Sequence, residues 1–204
     1  MNRIFIMLAV AVVITGCATT AVKTDYGQYL LTLFKTEFTS KGPATVDRIL
    51  NRDDVQKMCS EYPLERTEEM AESIQKSQMA TVKYPADGQY LGDWKNGEKI
   101  AQNGRGLQSS DPIGGVNGGN CYACHNITKS EISYGNIGPS LYNYMKVHGS
   151  NDQVVKYTWA KIYNPQAFTA CSNMPRFGHN GILDEKQIKD VMALLLDPAS
   201  PVNQ

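Results

Sequence analysis

Apolar positions recur at helical rather than strand spacing along most of the chain, most clearly near the end. Ile188, Val191, Met192 and Leu195 fall at i, i+3, i+4 and i+7 ahead of Pro198, with Asp184 as capping residue and Gln187 three positions on. A second helix is predicted from Asp152 to Tyr163, with Val155, Trp159 and Ile162 on one side and Asn164-Pro165 as its stop. A third runs from about Asp93 to Gln102, where Trp94, Gly97, Ile100 and Ala101 follow the same period. Gly97 is out of place there. Glycine costs about 1 kcal/mol against alanine inside a helix, so its presence points to a close crossing with another helix, the alternative being a short helix that frays there. Upstream, Tyr26 to Phe38 places Tyr29, Leu30, Leu33 and Phe34 near one face, which is expected to pack on something. Asn51 or Asp53 caps a helix carrying Val55, Met58, Cys59 and Tyr62 before Pro63 ends it. Thr67 starts another, with Met70, Ala71 and Ile74 inward and glutamates in the first turn, where they suit the helix dipole. The turn-forming run Tyr84-Pro85-Ala86-Asp87-Gly88 marks a boundary between a helical extension, 17–84, and a second domain, 85–204.

The first residues read differently. Met1 to Gly16 has a basic end at Arg3 and an uncharged apolar run from Ile4 to Ile14, the pattern of an export signal and too short to span a bilayer. Ile14-Thr15-Gly16-Cys17 resembles the lipobox of bacterial lipoproteins, which would make Cys17 the site of lipidation and tie the protein to a membrane surface from the periplasmic side. The alternative is cleavage near Thr19-Thr20-Ala21, leaving a soluble periplasmic protein. Charge adds little: 20 basic side chains balance 20 acidic ones, and no basic patch suggests a nucleic acid partner.

The chemistry is concentrated in Cys121-Tyr122-Ala123-Cys124-His125. Two thiols two residues apart sit on one turn and can both add to vinyl groups on one edge of a porphyrin, and the histidine that follows without a gap can reach the iron. The motif predicts one covalently bound haem c, held by Cys121 and Cys124 with His125 as proximal ligand. A zinc site would need a second Cys-x-x-Cys, and a redox dithiol has no use for the histidine. In an oxidising compartment the remaining Cys59 and Cys171 are an even pair and are expected to form a disulfide, the alternative being two small buried hydrophobes. The loop Asn103 to Asn120, with Gly114, Gly115, Gly118 and Gly119, lacks the strand-to-helix context and lysine of a phosphate cradle and is expected to be a mobile flap.

After the haem motif, Gly135-Asn136-Ile137-Gly138-Pro139-Ser140-Leu141 resembles the corresponding segment of class I cytochromes c. That resemblance implies an all-α fold, a class I cytochrome c-like haem domain with an N-terminal extension, in which the Pro139 carbonyl accepts a hydrogen bond from His125 and orients it. Candidates for the sixth iron ligand are Met145, Met174, Met192, His148 and His179. Met192 belongs to the face of its helix. Met174 precedes Pro175 in a loop before the last helix, where class I cytochromes carry their methionine, and a thioether there favours ferrous iron and electron transfer. Either histidine in its place would give a lower-potential centre.

A narrower resemblance lies in Cys171-Ser172-Asn173-Met174-Pro175-Arg176-Phe177-Gly178, which is similar to the distal-ligand region of the SoxX family, the monohaem subunits of SoxAX cytochromes in thiosulfate-oxidising bacteria. The similarity continues through Gly181-Ile182-Leu183 and the last helix, and upstream in Lys83 to Gly88 and Gly92 to Lys95. It implies a heterodimer with the SoxA cytochrome, a transient encounter with the SoxYZ carrier, and transfer of electrons to a downstream acceptor. The complex is an L-cysteine S-thiosulfotransferase that oxidatively joins thiosulfate to a carrier cysteine, with the substrate-side haem on SoxA. An iron closed by His125 and Met174 offers substrate no open position, so this subunit's implied role is electron relay. A stand-alone carrier serving a terminal oxidase would look the same at the haem. Arg176 is expected to pair with a haem propionate, to face the partner, or to stay in solvent.

Overall fold

The computed structural model of the protein describes residues 26–61 and 67–204. The export signal, Cys17, Tyr62 and Pro63 lie outside the described residues. Regular structure among the described residues is helical, apart from an isolated bridge between Lys41 and Ala44. In the extension these are α1 (Tyr26–Glu37), α2 (Asp47–Leu50), α3 (Asp54–Glu61) and α4 (Glu68–Met79). Beyond it come α5 (Trp94–Gln102), α6 (Tyr144–His148), α7 (Asp152–Tyr163) and α8 (Glu185–Leu196).

The core is built where α5 crosses α8. Gly97 makes the crossing possible: a Cβ there would overlap the Asp190 carbonyl, 2.7 Å from its carbon and 3.0 Å from Leu194 Cβ. Around this contact Ala101, Ile188, Val191, Met192 and Leu194 are buried, each larger aliphatic contributing about 1.5–3 kcal/mol of burial. Asp190 is itself buried and ties the two helices together, one oxygen accepting from the Asp93 amide at 2.8 Å and the other from Lys186 Nζ at 2.9 Å. Both helices start as their sequences dictate. Asp93 caps α5 through the Lys95 amide, and Asp184 with Gln187 forms a reciprocal capping box on α8. In α7, capped by Asn151, Trp159 and Ile162 enter the same core.

The extension joins this body through its second half. Thr67 caps α4, whose Ile74 and Gln78 are buried where it packs on the 3-10 turn Pro165–Ala167. Asn164, fully buried ahead of that turn, donates through Nδ2 to Gln78 Oε1 at 3.0 Å and Thr81 Oγ1 at 2.9 Å. Trp159 Nε1 donates to the Lys83 carbonyl at 2.8 Å. Of the two cap candidates for α3, Asp53 is the one used, exchanging side-chain and backbone bonds with Gln56. The expectation for α1 is met in part: it packs on α2, with Leu33 and Phe34 half-buried. It buries no residue, and Tyr29 and Leu30 are exposed. The chain turns back at Gly42, which lies against the Ser109 and Asp111 carbonyls, and Arg48 beyond the turn donates to the Leu107 carbonyl at 3.0 Å.

Candidate haem site

Asn120, in the left-handed region at φ 48°, turns the chain into a 3-10 turn at Cys121–Ala123. The Cys124 and His125 amides both donate to the Cys121 carbonyl, at 3.1 and 2.9 Å, which places the two cysteines one turn apart with free thiols. Burial pushes the Cys121 thiol up to about 12, so it is neutral in this fold. Gly119 gives its sulfur room, since a Cβ there would lie 3.1 Å from Sγ. Beneath the turn, the buried Tyr122 shares a hydrogen bond with Thr128 Oγ1 at 3.0 Å, and burial raises its hydroxyl above the ordinary range.

The segment 135–141 is laced to this turn. Gly135 donates to Tyr122, Gly138 to Cys124 and Leu141 to Asn126, all through backbone groups. The lacing brings the Pro139 carbonyl 2.7 Å from His125 Nδ1. A carbonyl can only accept, so Nδ1 carries the proton and donates, leaving the Nε2 lone pair for a metal. Gly138 lies flat against the same ring: a Cβ there would stand 2.5 Å from Nδ1 and 2.7 Å from Nε2. The need for glycine at 138 comes from this approach, and its one signal in the sequence is its place directly before Pro139.

The loop before the motif is not the mobile flap expected of it. The Gly118 amide donates to Arg105, Gly119 to Ile100 and Asn120 to Asn103. Asp111 is buried and its carboxylate accepts from the Gln108 and Gly106 amides, which hold it below the usual carboxylate range. Asn117 donates to the Ile182 carbonyl and accepts from Gln187 Nε2, pinning the loop to the start of α8. Gly118 and Gly119 serve close approach here, whereas Gly114 supplies a left-handed turn at φ 75° with nothing against it.

Of the sixth-ligand candidates, Met192 is fully buried within α8, and His148 is exposed on the Tyr144 ring. Met145 is half-buried on α6, and its amide donates to Asn203 Oδ1. His179 is half-buried, its amide bonded to the Tyr163 carbonyl, and partial burial lowers its basicity. Met174 is half-buried and packs on the core that also receives Cys121, Ile100 and Leu141. Its loop is held at both ends. Cys171, left-handed at φ 57°, is disulfide-bonded to Cys59 of α3, with the Cα atoms 5.5 Å apart. Arg176 does not stay in solvent. It is 4% exposed, and its guanidinium donates to Asp53 Oδ2 and Gln78 Oε1 of the extension. A buried guanidinium needs such partners because desolvating it unpaired would cost several kcal/mol.

The segment that holds the Cys-x-x-Cys-His turn and its carbonyl-bonded histidine lies within a family match: the cytochrome c family model matches residues 94–197. The chain belongs to the cytochrome c family. The chain is also 41% identical over 156 residues to an uncharacterized lipoprotein of Aquifex aeolicus (strain VF5), covering 75% of this chain and 73% of that protein. As a cytochrome c, it is an electron-transfer protein with covalently bound haem c. Its residues fit that group: free thiols one turn apart, an imidazole with its Nε2 released by the Pro139 bond, and a glycine where a side chain would strike the ring. Among the described residues no helix is long and apolar enough to cross a membrane.

Proposed function

We propose that this cytochrome c holds one haem through Cys121 and Cys124, with His125 and Met174 as axial ligands, and relays electrons as the SoxX-like subunit of a SoxAX complex. The observation that carries the haem assignment is the His125–Pro139 hydrogen bond, which fixes the tautomer with Nε2 free. Bound there, the haem supplies one-electron exchange between ferric and ferrous iron. The chain's own part is positional. Pro139 keeps the imidazole from rotating and strengthens it as a donor, Gly138 lets the backbone lie against the ring, and the pinned 103–120 loop fixes the chain as it enters the Cys121 turn. Two filled axial positions leave no site for substrate, so the oxidative joining of thiosulfate to the SoxYZ cysteine belongs to the SoxA partner.

The SoxX reading rests on the Cys171–Gly178 segment. Placement on a membrane through lipid at Cys17 is part of the same proposal, supported by the lipobox-like Ile14 to Cys17 and by the name of the Aquifex relative. Met174→Ala tests the ligand: the weak red-edge absorption band of a sulfur-ligated ferric haem is expected in the parent and absent in the variant, and its persistence would remove Met174. Coexpression with a candidate SoxA partner tests the complex. Copurification, followed by thiosulfate-dependent reduction of this haem with the carrier present, is expected. A haem that stays oxidised in a monomeric protein would make it a stand-alone carrier.

A further inference from the structure

The residues around Met174 are restrained by parts of the chain that a cytochrome domain alone would not contain. On one side, Cys171 is bonded to Cys59 of α3, 112 residues away in sequence. On the other, Arg176 is buried with its guanidinium between Asp53, at the start of α3, and Gln78 of α4. Gln78 is fixed in turn by Asn164, which is fully buried. Within the loop the Met174 amide donates to Ser172 Oγ at 3.2 Å. Every long-range tie just named for the two ends of this loop comes from residues 53–78 of the extension. The geometry points to Arg176, Asp53 and Gln78, together with the Cys59–Cys171 bond, as positioning residues that clamp the Met174 loop from outside and oppose release of the thioether from iron. The inference rests on the reading of Met174 as axial ligand.

The physical basis is linkage. An external ligand such as imidazole can take the distal position only when the loop has opened, so its apparent affinity is lowered by the fraction of molecules that are closed. Opening exposes or unpairs a buried guanidinium, and a hydrogen bond to a charged group contributes enough that its loss shifts such an equilibrium about tenfold or more. Asp53→Asn is a clean perturbation. Its Oδ1 accepts from the Gln56 amide as the α3 cap, a role asparagine fills equally well, whereas the charge offered to Arg176 is lost.

The test uses the purified ferric haem protein titrated with imidazole at neutral pH, following loss of the red-edge band. Asp53→Asn and Arg176→Gln are expected to bind imidazole at least about tenfold more tightly than the parent, with Arg176→Lys restoring part of the difference. Cys59→Ser/Cys171→Ser is expected to shift in the same direction, so the idea can be checked even if an Arg176 variant fails to fold. Asp54→Asn, which loses an exposed pairing with Lys57, is the control and should match the parent. A purely structural role would lower the melting temperature and leave imidazole affinity unmoved. If the parent shows the sulfur band and all variants bind imidazole within twofold of it, the clamp is refuted while Met174 ligation stands; if the parent lacks the band, the ligand reading falls and the clamp falls with it.

Discussion

Replacing Gly97 with alanine sets two effects of opposite sign against each other. In an isolated helix the change would be favourable by about 1 kcal/mol, because alanine loses less backbone freedom on folding. In this fold the added Cβ would meet α8 backbone, overlapping the Asp190 carbonyl and standing 2.7 Å from its carbon. Carbon atoms in ordinary contact are about 3.5–4.0 Å apart, so the crossing must open by about 1 Å. The atom in the way is main chain, and its helix is held by the capping box at Asp184 and the Asp190–Asp93 bond, so it cannot step aside. A radial gap of about 1 Å forfeits a quarter to a half of each dispersion contact it touches, and the contacts at risk are those of Ala101, Ile188, Val191 and Leu194, all buried. Overpacking of this kind costs about 1–3 kcal/mol, occasionally more, which outweighs the propensity gain. The expected result of urea denaturation of the haem protein, followed by tryptophan fluorescence and helical circular dichroism, is a net loss of up to about 2 kcal/mol. In thermal melts this corresponds to about 2–4 °C for each kcal/mol in a chain of this size. A Gly97→Ala protein as stable as the parent, or more stable, would refute the close-crossing argument.

Gly138→Ala is expected to push the His125 ring off the Pro139 carbonyl, because the new Cβ overlaps the imidazole; covalent haem yield and the low-spin fraction of the ferric spectrum should both fall. Removing the disulfide with Cys59→Ser/Cys171→Ser opens a long loop in the unfolded chain and should cost about 2–5 kcal/mol in denaturant titration. Partial burial pushes the Asp53 carboxyl up, but bonds from the Gln56 amide and Arg176 and the charges of Arg176 and His179 together leave it lowered. A lowered folded-state pKa gives stability that is present above the unfolded value of about 3.9 and lost as pH falls through the folded one. Parent and Asp53→Asn melting curves should therefore be separated at pH 7 and converge on acidification below about pH 4; a constant gap would discount the carboxylate's charge.

The parts of this fold that could be read from sequence are those set by neighbours along the chain. The caps of α4 and α8, the stop of α7 at Asn164-Pro165 and the oddity of Gly97 are local signals, and the helices lie where those signals put them. The haem motif is equally local, five consecutive residues on one turn. What escaped depends on pairings across the chain. Arg176 looks like a surface residue until Asp53, 123 positions earlier, is brought beside it. The 103–120 loop looks free because its glycines are visible in sequence, whereas the bonds from Asn117 to Ile182 and from Gln187 to Asn117 are not. The apolar period of α1 signals a helix correctly, but periodicity does not say whether another part of the same chain will cover it.

The Cys59–Cys171 bond has a consequence for how the protein is made. The loop it closes encloses Cys121 and Cys124, so under the proposed export, with Cys17 taken by lipid, these four thiols would meet an oxidising compartment together. Among the single bonds those four can form, the one joining Cys59 to Cys171 alone leaves both sulfurs proposed to attach haem reduced. Oxidation in the wrong order does more than misfold the chain: it removes a sulfur that the porphyrin needs. The 112-residue separation of the correct partners makes that order slow to find by chance. On the proposed attachment, early capture of Cys121 and Cys124 by haem would resolve the competition, because it would withdraw them from thiol chemistry and leave Cys59 and Cys171 to each other.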